Sequence, residues 1–367
     1  MQLADTVHRQ PAGSQTHDGW LDWLRGLAAL MVLWHHGRQA WFVAWSDLDP
    51  ASQTPLNEFL FFITGLGREA VVIFFVLSGW LVGGQALRAY QTGVYSLRGY
   101  LIARISRLYV VIVPALLLTA VIDYFGGAWA GQDHSLSLFL VNLFSLQGLF
   151  GHAYGSNGPL WSLAYEWWFY VLWGFALAAF AYSGRLRAVA LFVVVSSIAL
   201  IAWRCPGILE MFTLWLLGVV ARSLPPSRWP PSVTAPLALI GLCLAIAFPV
   251  AQSDFVRDGL VGIAAAMLVY FCTGLRAPSA RGFALGKSLA AFSFSLYALH
   301  YPLNLLLIDV FVPQRLREAS VLNWLGCLLL MVAEALLCWC FYWFFERHTP
   351  AVRAALMRCC RRRLSIY

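Results

Sequence analysis

The sequence WLDWLRGLAALMVLWHHGRQAW, residues 20–41, contains enough apolar residues to cross a membrane, yet it carries Arg25, His35 and His36. About 20 helical residues span a hydrocarbon core of roughly 30 Å, so this stretch is predicted to be a transmembrane helix. Ionisable side chains in a membrane are costly and are functional candidates. Arg25 and His36 are separated by about three helical turns, roughly 16 Å, and share one face, whereas His35 points about 100° away.

A structural role is the alternative for each of these residues. A single histidine in a membrane helix often only bonds to a neighbouring helix, and an arginine near a helix end often extends to the headgroups. The presence of Arg25 and His36 on one stripe favours a functional site.

Composition indicates a polytopic membrane protein. The 367 residues are 60% hydrophobic and only 11% charged, with a mean hydropathy of +0.71, whereas soluble domains carry about 25% charged residues. The net charge of +8 does not indicate nucleic-acid binding, because the arginines lie between apolar segments instead of forming a patch on a soluble fold.

The apolar segments predict an all-α fold of about ten transmembrane helices. We divide the chain into a polar cytoplasmic tail (1–19), a membrane domain (20–346) and a basic cytoplasmic tail (347–367). The predicted spans are 20–42, 70–87, 107–125, 159–181, 188–203, 208–222, 234–250, 259–275, 289–312 and 321–345.

The distribution of basic residues predicts that both termini are cytoplasmic. With the amino terminus inside, 19 of the 25 basic residues fall on the inner side, as the positive-inside rule requires. The six on the outer side are Arg38, Arg68, Arg204, Arg257, Arg315 and Arg317. Residues 136–150 are apolar, but counting them as a span would place every later basic loop outside, so we interpret them as an interfacial or re-entrant segment.

Two further segments contain polar residues at the edge of the membrane. In YLIARISRLYVVIVP, residues 100–114, Arg104 and Arg107 lie one turn apart on one face, a pattern that suits phosphate binding but also serves as a topological signal. In GREAVVIFFVLSGWLVGG, residues 67–84, the hydroxyl of Ser78 either donates to a ligand carbonyl or bonds back to its own helix.

Two later helices add candidate site residues. In SNGPLWSLAYEWWFYVLW, residues 156–173, Ser162 and Glu166 share a face, and an intramembrane carboxylate is either functional or bonded to a neighbouring helix. In FSFSLYALHYPL, residues 292–303, His300 precedes a proline that frees backbone carbonyls, and it is either structural or part of the site. His36, Ser78, Glu166 and His300 are expected to gather in the middle and outer layers of the membrane.

These segments together resemble the acyltransferase-3 family of integral membrane acyltransferases. LRGLAALMVLWHHG, residues 24–37, is similar to the family signature of an arginine followed after ten residues by a histidine, which Arg25 and His36 fill. The Ser-Gly at Ser78, the Trp-Ser-Leu-x-x-Glu block from Trp161 to Glu166 and the Tyr-x-x-His-x-Pro block around His300 are also similar to family blocks. Glu346 matches a further family position, although the family's nearby proline is displaced to Pro350 here.

The resemblance implies an O-acyltransferase of the inner (plasma) membrane. Its donor would be a cytoplasmic acyl-CoA, most simply acetyl-CoA, and its acceptor a saccharide hydroxyl, with no permanently bound cofactor. The family implies that Arg98, Arg104 and Arg107 hold the nucleotide end of the donor, and we add Ser78 to the donor site. Ser162, His300 and Trp161 are expected to contact the acceptor.

In this scheme His36 acts as general base toward the hydroxyl and then protonates the thiolate, Glu166 orients or polarises the histidine, and Arg25 stabilises negative charge on the donor. No metal site is expected, because ligand residues do not cluster with metal-binding spacing. A transporter that uses the intramembrane histidine and glutamate as a proton relay is the main alternative. An inactive sensor or assembly factor on the same scaffold is a second.

Overall fold

The computed structural model describes residues 19–125, 131–248, 253–311 and 317–364. This part of the chain contains fourteen α-helices and no β-strand. The helices are α1 (Gly19–Trp41), α2 (Pro55–Ile63), α3 (Gly67–Ser78), α4 (Gly84–Gln91), α5 (Leu97–Phe125), α6 (Leu136–Leu143), α7 (Trp161–Ala181), α8 (Gly184–Arg204), α9 (Gly207–Ser223), α10 (Pro231–Ala247), α11 (Asp254–Cys272), α12 (Ala280–Phe311), α13 (Val321–Phe344) and α14 (Thr349–Leu364).

The all-α prediction is confirmed, and each of the ten predicted spans overlaps one of these helices. Seven helical segments in the described residues are long and apolar enough to cross a membrane. They are Pro55–Gln91, Leu97–Phe125, Gly158–Ala181, Gly184–Arg204, Asp254–Cys272, Ala280–Phe311 and Val321–Cys360. The crossing of all ten, and the cytoplasmic location of the termini, stay predictions.

Helices α1 and α12 form the central pair and run parallel. Near their starts, Trp23 Nε1 donates to the carbonyl of Gly282 at 2.9 Å. Farther along both helices, the rings of His36 and His300 lie 5.1 Å apart. Between these points Gly26 lies directly against Leu289, so a larger residue would push the two helices apart. The register of the pair therefore fixes which residues of α12 face Arg25 and which face His36.

Glycines also let α3 approach α9 at its carboxyl end. Gly79 begins a π-helical turn, Gly79–Gly83, that joins α3 to α4. It packs against the backbone of Trp215, while Gly218 packs against the backbone of Val76. Because neither glycine has room for a Cβ atom, close helix packing explains them.

The described residues between α5 and α7, 131–160, are bonded to the end of α5. Helix α6 has 8 residues and is about 12 Å long, too short to cross the hydrocarbon core. A buried carboxylate, Asp123 near the end of α5, accepts hydrogen bonds from the Ser156 backbone and from His134, both at 2.8 Å. These bonds attach the connecting segment to α5.

Within the expected tail, residues Thr349–Leu364 form α14, which packs against α5. Glu346, in the turn before α14, is buried and accepts from the backbone N–H of Ser295 at 2.9 Å. Its other oxygen lies 2.8 Å from Arg107 Nη1. One carboxylate thus connects the turn before α14 to both α5 and α12.

Candidate active site

A cavity of about 670 Å³ lies between α1, α3, α5, α7, α12 and α14. Six of the residues that the sequence singled out line it. They are Arg25, Ser78, Arg104, Arg107, Ser162 and Glu166. Arg104 and Arg107 thus both face the cavity from α5, and Ser162 and Glu166 both face it from α7, while the roles of these residues stay predictions.

The cavity has an exposed mouth and a buried end. Gln85 and Arg353 at the mouth are exposed, and the three other arginines of the lining are half-buried. At the opposite end, Ser162 and Tyr297 are buried, and their hydroxyl oxygens are 2.5 Å apart. A ligand with a charged end and a neutral end would thus be oriented with the charge toward the mouth.

The half-buried arginines differ in their partners. Arg25 Nη2 donates to Asp22 Oδ1 of the same helix at 3.1 Å, and Arg107 is paired with Glu346. The guanidinium of Arg104 lies over the ring of Tyr170, 5.6 Å from its centroid. A cation–π contact does not neutralise the charge of a guanidinium, and the neighbouring arginines are also positive. Arg104 can therefore bind an anion in the cavity.

Glu166 belongs to a polar chain that crosses the cavity wall. The hydroxyl of Tyr170 donates to Glu166 Oε1 at 2.6 Å and lies 3.2 Å from the Ser78 hydroxyl oxygen. Ser78 also accepts from Trp215 Nε1 at 3.1 Å. Ser78 is therefore bonded to side chains of α7 and α9, a third possibility beside the two that the sequence suggested.

The two predicted histidines lie beyond the buried end. Tyr297 is the last residue of α12 that lines the cavity, and His300 follows one turn later, about 4.5 Å along the axis. The ring of His36 packs against His300 and also lies 5.0 Å from the ring of Tyr301. In the described residues, neither His36 Nδ1 nor His300 Nε2 has a hydrogen-bond partner, although both atoms are buried.

Hydrogen bonds to backbone carbonyls distinguish the roles of the histidines. His300 Nδ1 lies 2.9 Å from the carbonyl oxygen of Tyr297 and 3.1 Å from that of Leu296. Carbonyls only accept, so Nδ1 carries the proton and Nε2 of the neutral ring has a free lone pair. His35 Nδ1 donates in the same way to Gly65 at 2.8 Å, which fixes His35 at the turn between α2 and α3.

Three contacts that the sequence predicted are not observed in the described residues. Arg98 is exposed in the first turn of α5 and is not among the cavity residues, because it precedes the lining face by more than one turn. Trp161 is 40% exposed and its ring packs on Tyr165, outside the cavity. Glu166 is bonded to Tyr170, and no hydrogen bond in the described residues joins it to His36.

The sequence reasoning missed several polar groups. Tyr170 and Tyr297 connect predicted site residues. Tyr170 carried no spacing signal, whereas Tyr297 is the tyrosine of the Tyr-x-x-His-x-Pro block but was given no role. Glu334 of α13, fully buried, accepts from Asn304 Nδ2 at 3.0 Å, one turn beyond His300 on α12. Glu334 could have been identified from the sequence, because a carboxylate within an apolar segment is a functional candidate. In the described residues, no cluster of three or more His, Cys, Asp or Glu side chains is placed to hold a metal ion.

A family model described as an acyltransferase domain matches residues 18–343, nearly the whole chain. A protein named O-acetyl transferase from Shigella phage Sf6 is 30% identical over 152 residues, which is 38% of this chain and 43% of the phage protein. The match thus spans less than half of that relative. No solved structure matches significantly.

Proposed function

The chain belongs to the acyltransferase-3 family of integral membrane acyltransferases, and we propose that it transfers an acetyl group from acetyl-CoA to a hydroxyl of a saccharide of the cell envelope. One observation carries this proposal: an arginine-lined cavity closes one helical turn before two histidines, each of which has a buried ring nitrogen with no hydrogen-bond partner in the described residues. Acetyl transfer is also the activity that the name of the phage relative states.

The donor would enter with its phosphates toward the arginines. Arg25 and Arg104 lie along the cavity, and guanidinium groups bind phosphate through charge-assisted hydrogen bonds. The thioester, at the uncharged end, would then approach Ser162 and Tyr297. These two hydroxyls, which are bonded to each other, would reorient to donate to the oxyanion that develops at the buried end.

The histidines would act on the acceptor hydroxyl. His36 takes the hydroxyl proton as the oxygen attacks the thioester carbonyl, forming a tetrahedral intermediate. The C–S bond then breaks, and the proton passes to the departing thiolate, so that ester and free CoA thiol form without a net charge change. His300 Nε2 has no partner in the described residues, so its lone pair would accept a hydrogen bond from an N–H of His36 or from the acceptor hydroxyl and position that group.

Mass spectrometry of cell-envelope glycans tests this function. We expect cells that make the wild-type protein to contain glycans heavier by one acetyl group than those of cells lacking it. Cells that make His36→Gln at the same membrane level are the control, and we expect their glycans to match those of the deletion. Identical glycan masses in wild-type and deletion cells would show that the proposal is wrong.

A further inference from the structure

One face of α14 closes the side of the cavity. Thr349, Pro350, Arg353, Ala354 and Met357 all line it, at spacings of one, four, five and eight residues from Thr349. This is the repeat of a single helical face. Helix α14 is therefore part of the donor cavity instead of a separate tail.

Arg353 differs from the other arginines of the lining. Arg25 and Arg107 are paired with carboxylates, and Arg104 lies over a tyrosine ring. In the part of the chain that the structure describes, Arg353 has no ion pair and no aromatic contact, and it is exposed at the mouth. Its charge is permanent at neutral pH and is directed into a cavity that already accumulates positive charge.

We propose that Arg353 binds the 3′-phosphate of the CoA donor, an inference that rests on the proposed function. CoA carries phosphates at two places: a pyrophosphate in its middle and a 3′-phosphate at the end farthest from the thioester. Arg25 and Arg104 also line the cavity but are more buried than Arg353, so they would contact the pyrophosphate. Arg353, at the mouth, lies where the terminal phosphate would be.

A phosphate group near the mouth has a second possible source, the headgroup of a membrane lipid. Both ligands would contact the same guanidinium through charge-assisted hydrogen bonds. Only the donor phosphate can be removed from the ligand without changing the membrane. Comparing CoA with dephospho-CoA, which lacks the 3′-phosphate, therefore separates the two sources.

The experiment measures the affinity of both ligands for full-length protein in phosphatidylcholine nanodiscs by calorimetry. We expect the wild type to prefer CoA, and Arg353→Gln to weaken CoA binding about fivefold, as an exposed ion pair allows, without changing dephospho-CoA binding. Arg353→Lys should keep part of the preference, because it keeps the charge. Arg358→Gln, an exposed arginine of α14 outside the cavity, is the matched control and should change neither affinity.

The outcomes separate this inference from the proposed function. If wild-type protein binds neither ligand, the acyl-CoA donor itself is wrong. If it binds both equally, or if Arg353→Gln leaves the preference for CoA intact, the donor stands and the role of Arg353 is wrong. An equal loss for both ligands would assign Arg353 to the shape of the mouth or to lipid, and would also overturn the inference.

Discussion

His35 and His36 are adjacent in sequence but contact different helices. Helical spacing alone predicted that His36, and not His35, lies on the stripe of Arg25, and the contacts agree: His36 faces α12, whereas His35 bonds to the turn after α2. The sequence could not reveal that His36 packs on His300, because periodicity gives the direction of a side chain and not the helix that it meets.

At this position the first prediction separates chemistry from packing. His36→Gln keeps a hydrogen-bonding side chain but cannot take a proton at neutral pH. We expect it to lower acetyl transfer by about 10²-fold or more, the contribution of a general base, while CoA affinity stays unchanged. The measurement is transfer to the acceptor identified by mass spectrometry, together with calorimetric CoA binding.

The adjacent residue is the matched control. His35→Ala removes the bond to the Gly65 carbonyl, so we expect a lower melting temperature but substantial activity in the protein that remains folded. Near-normal transfer by His36→Gln would show that His36 is only a packing residue.

At the scale of one element, α5 presents two arginines that the sequence could not distinguish. Their spacing predicted a shared face, and both line the cavity. Of the two, only Arg107 is paired with a carboxylate in the described residues; its partner is Glu346, which lies in the turn before α14. This pairing joins distant parts of the chain, so it depends on tertiary packing that local pattern does not encode.

The second prediction follows from this difference. Arg104→Gln should weaken CoA binding and reduce its salt dependence, because a phosphate contact is lost while no ion pair is broken. Arg107→Gln should mainly lower the melting temperature, because it leaves the buried Glu346 uncompensated.

A double-mutant cycle provides the control. Combined with Glu346→Gln, Arg107→Gln should cost less stability than the sum of the two single changes, whereas Arg104→Gln should add independently. Additive losses for Arg107 and Glu346, or unchanged CoA binding in Arg104→Gln, would contradict this assignment.

Across the whole molecule, hydropathy predicted the positions of the helices better than their associations. Each predicted span overlaps a helix, because long apolar runs must form backbone hydrogen bonds internally in lipid. Hydropathy did not predict which helices pack together. The Glu334 and Asn304 pair, and the inclusion of α14 in the cavity wall, both depend on which helices touch, and many pairings bury the same apolar surface.

The directions of two helix pairs are those that the predicted order of spans requires, although the number of crossings stays a prediction. Helices α5 and α7 run antiparallel, since Arg104 lies near Tyr170 while Thr119 lies near Asn157. Two consecutive membrane-spanning helices run antiparallel only if the segment that joins them does not itself cross the membrane. Helices α1 and α12, the first and ninth predicted spans, run parallel, as eight intervening reversals require.

Orientation is the last prediction, because parallel and antiparallel packing leave open which face is cytoplasmic. The excess of basic residues predicts that a reporter fused after Tyr367 lies in the cytoplasm, and that one inserted near Gln132, an exposed loop position, lies outside. A reporter near Gly93, in the turn between α4 and α5, is the internal control and should match the carboxyl terminus. The assay compares alkaline phosphatase, active only outside, with green fluorescent protein. The reverse pattern would turn the arginine-lined mouth away from the cytoplasm, where acyl-CoA is made, and the donor scheme would fail with it.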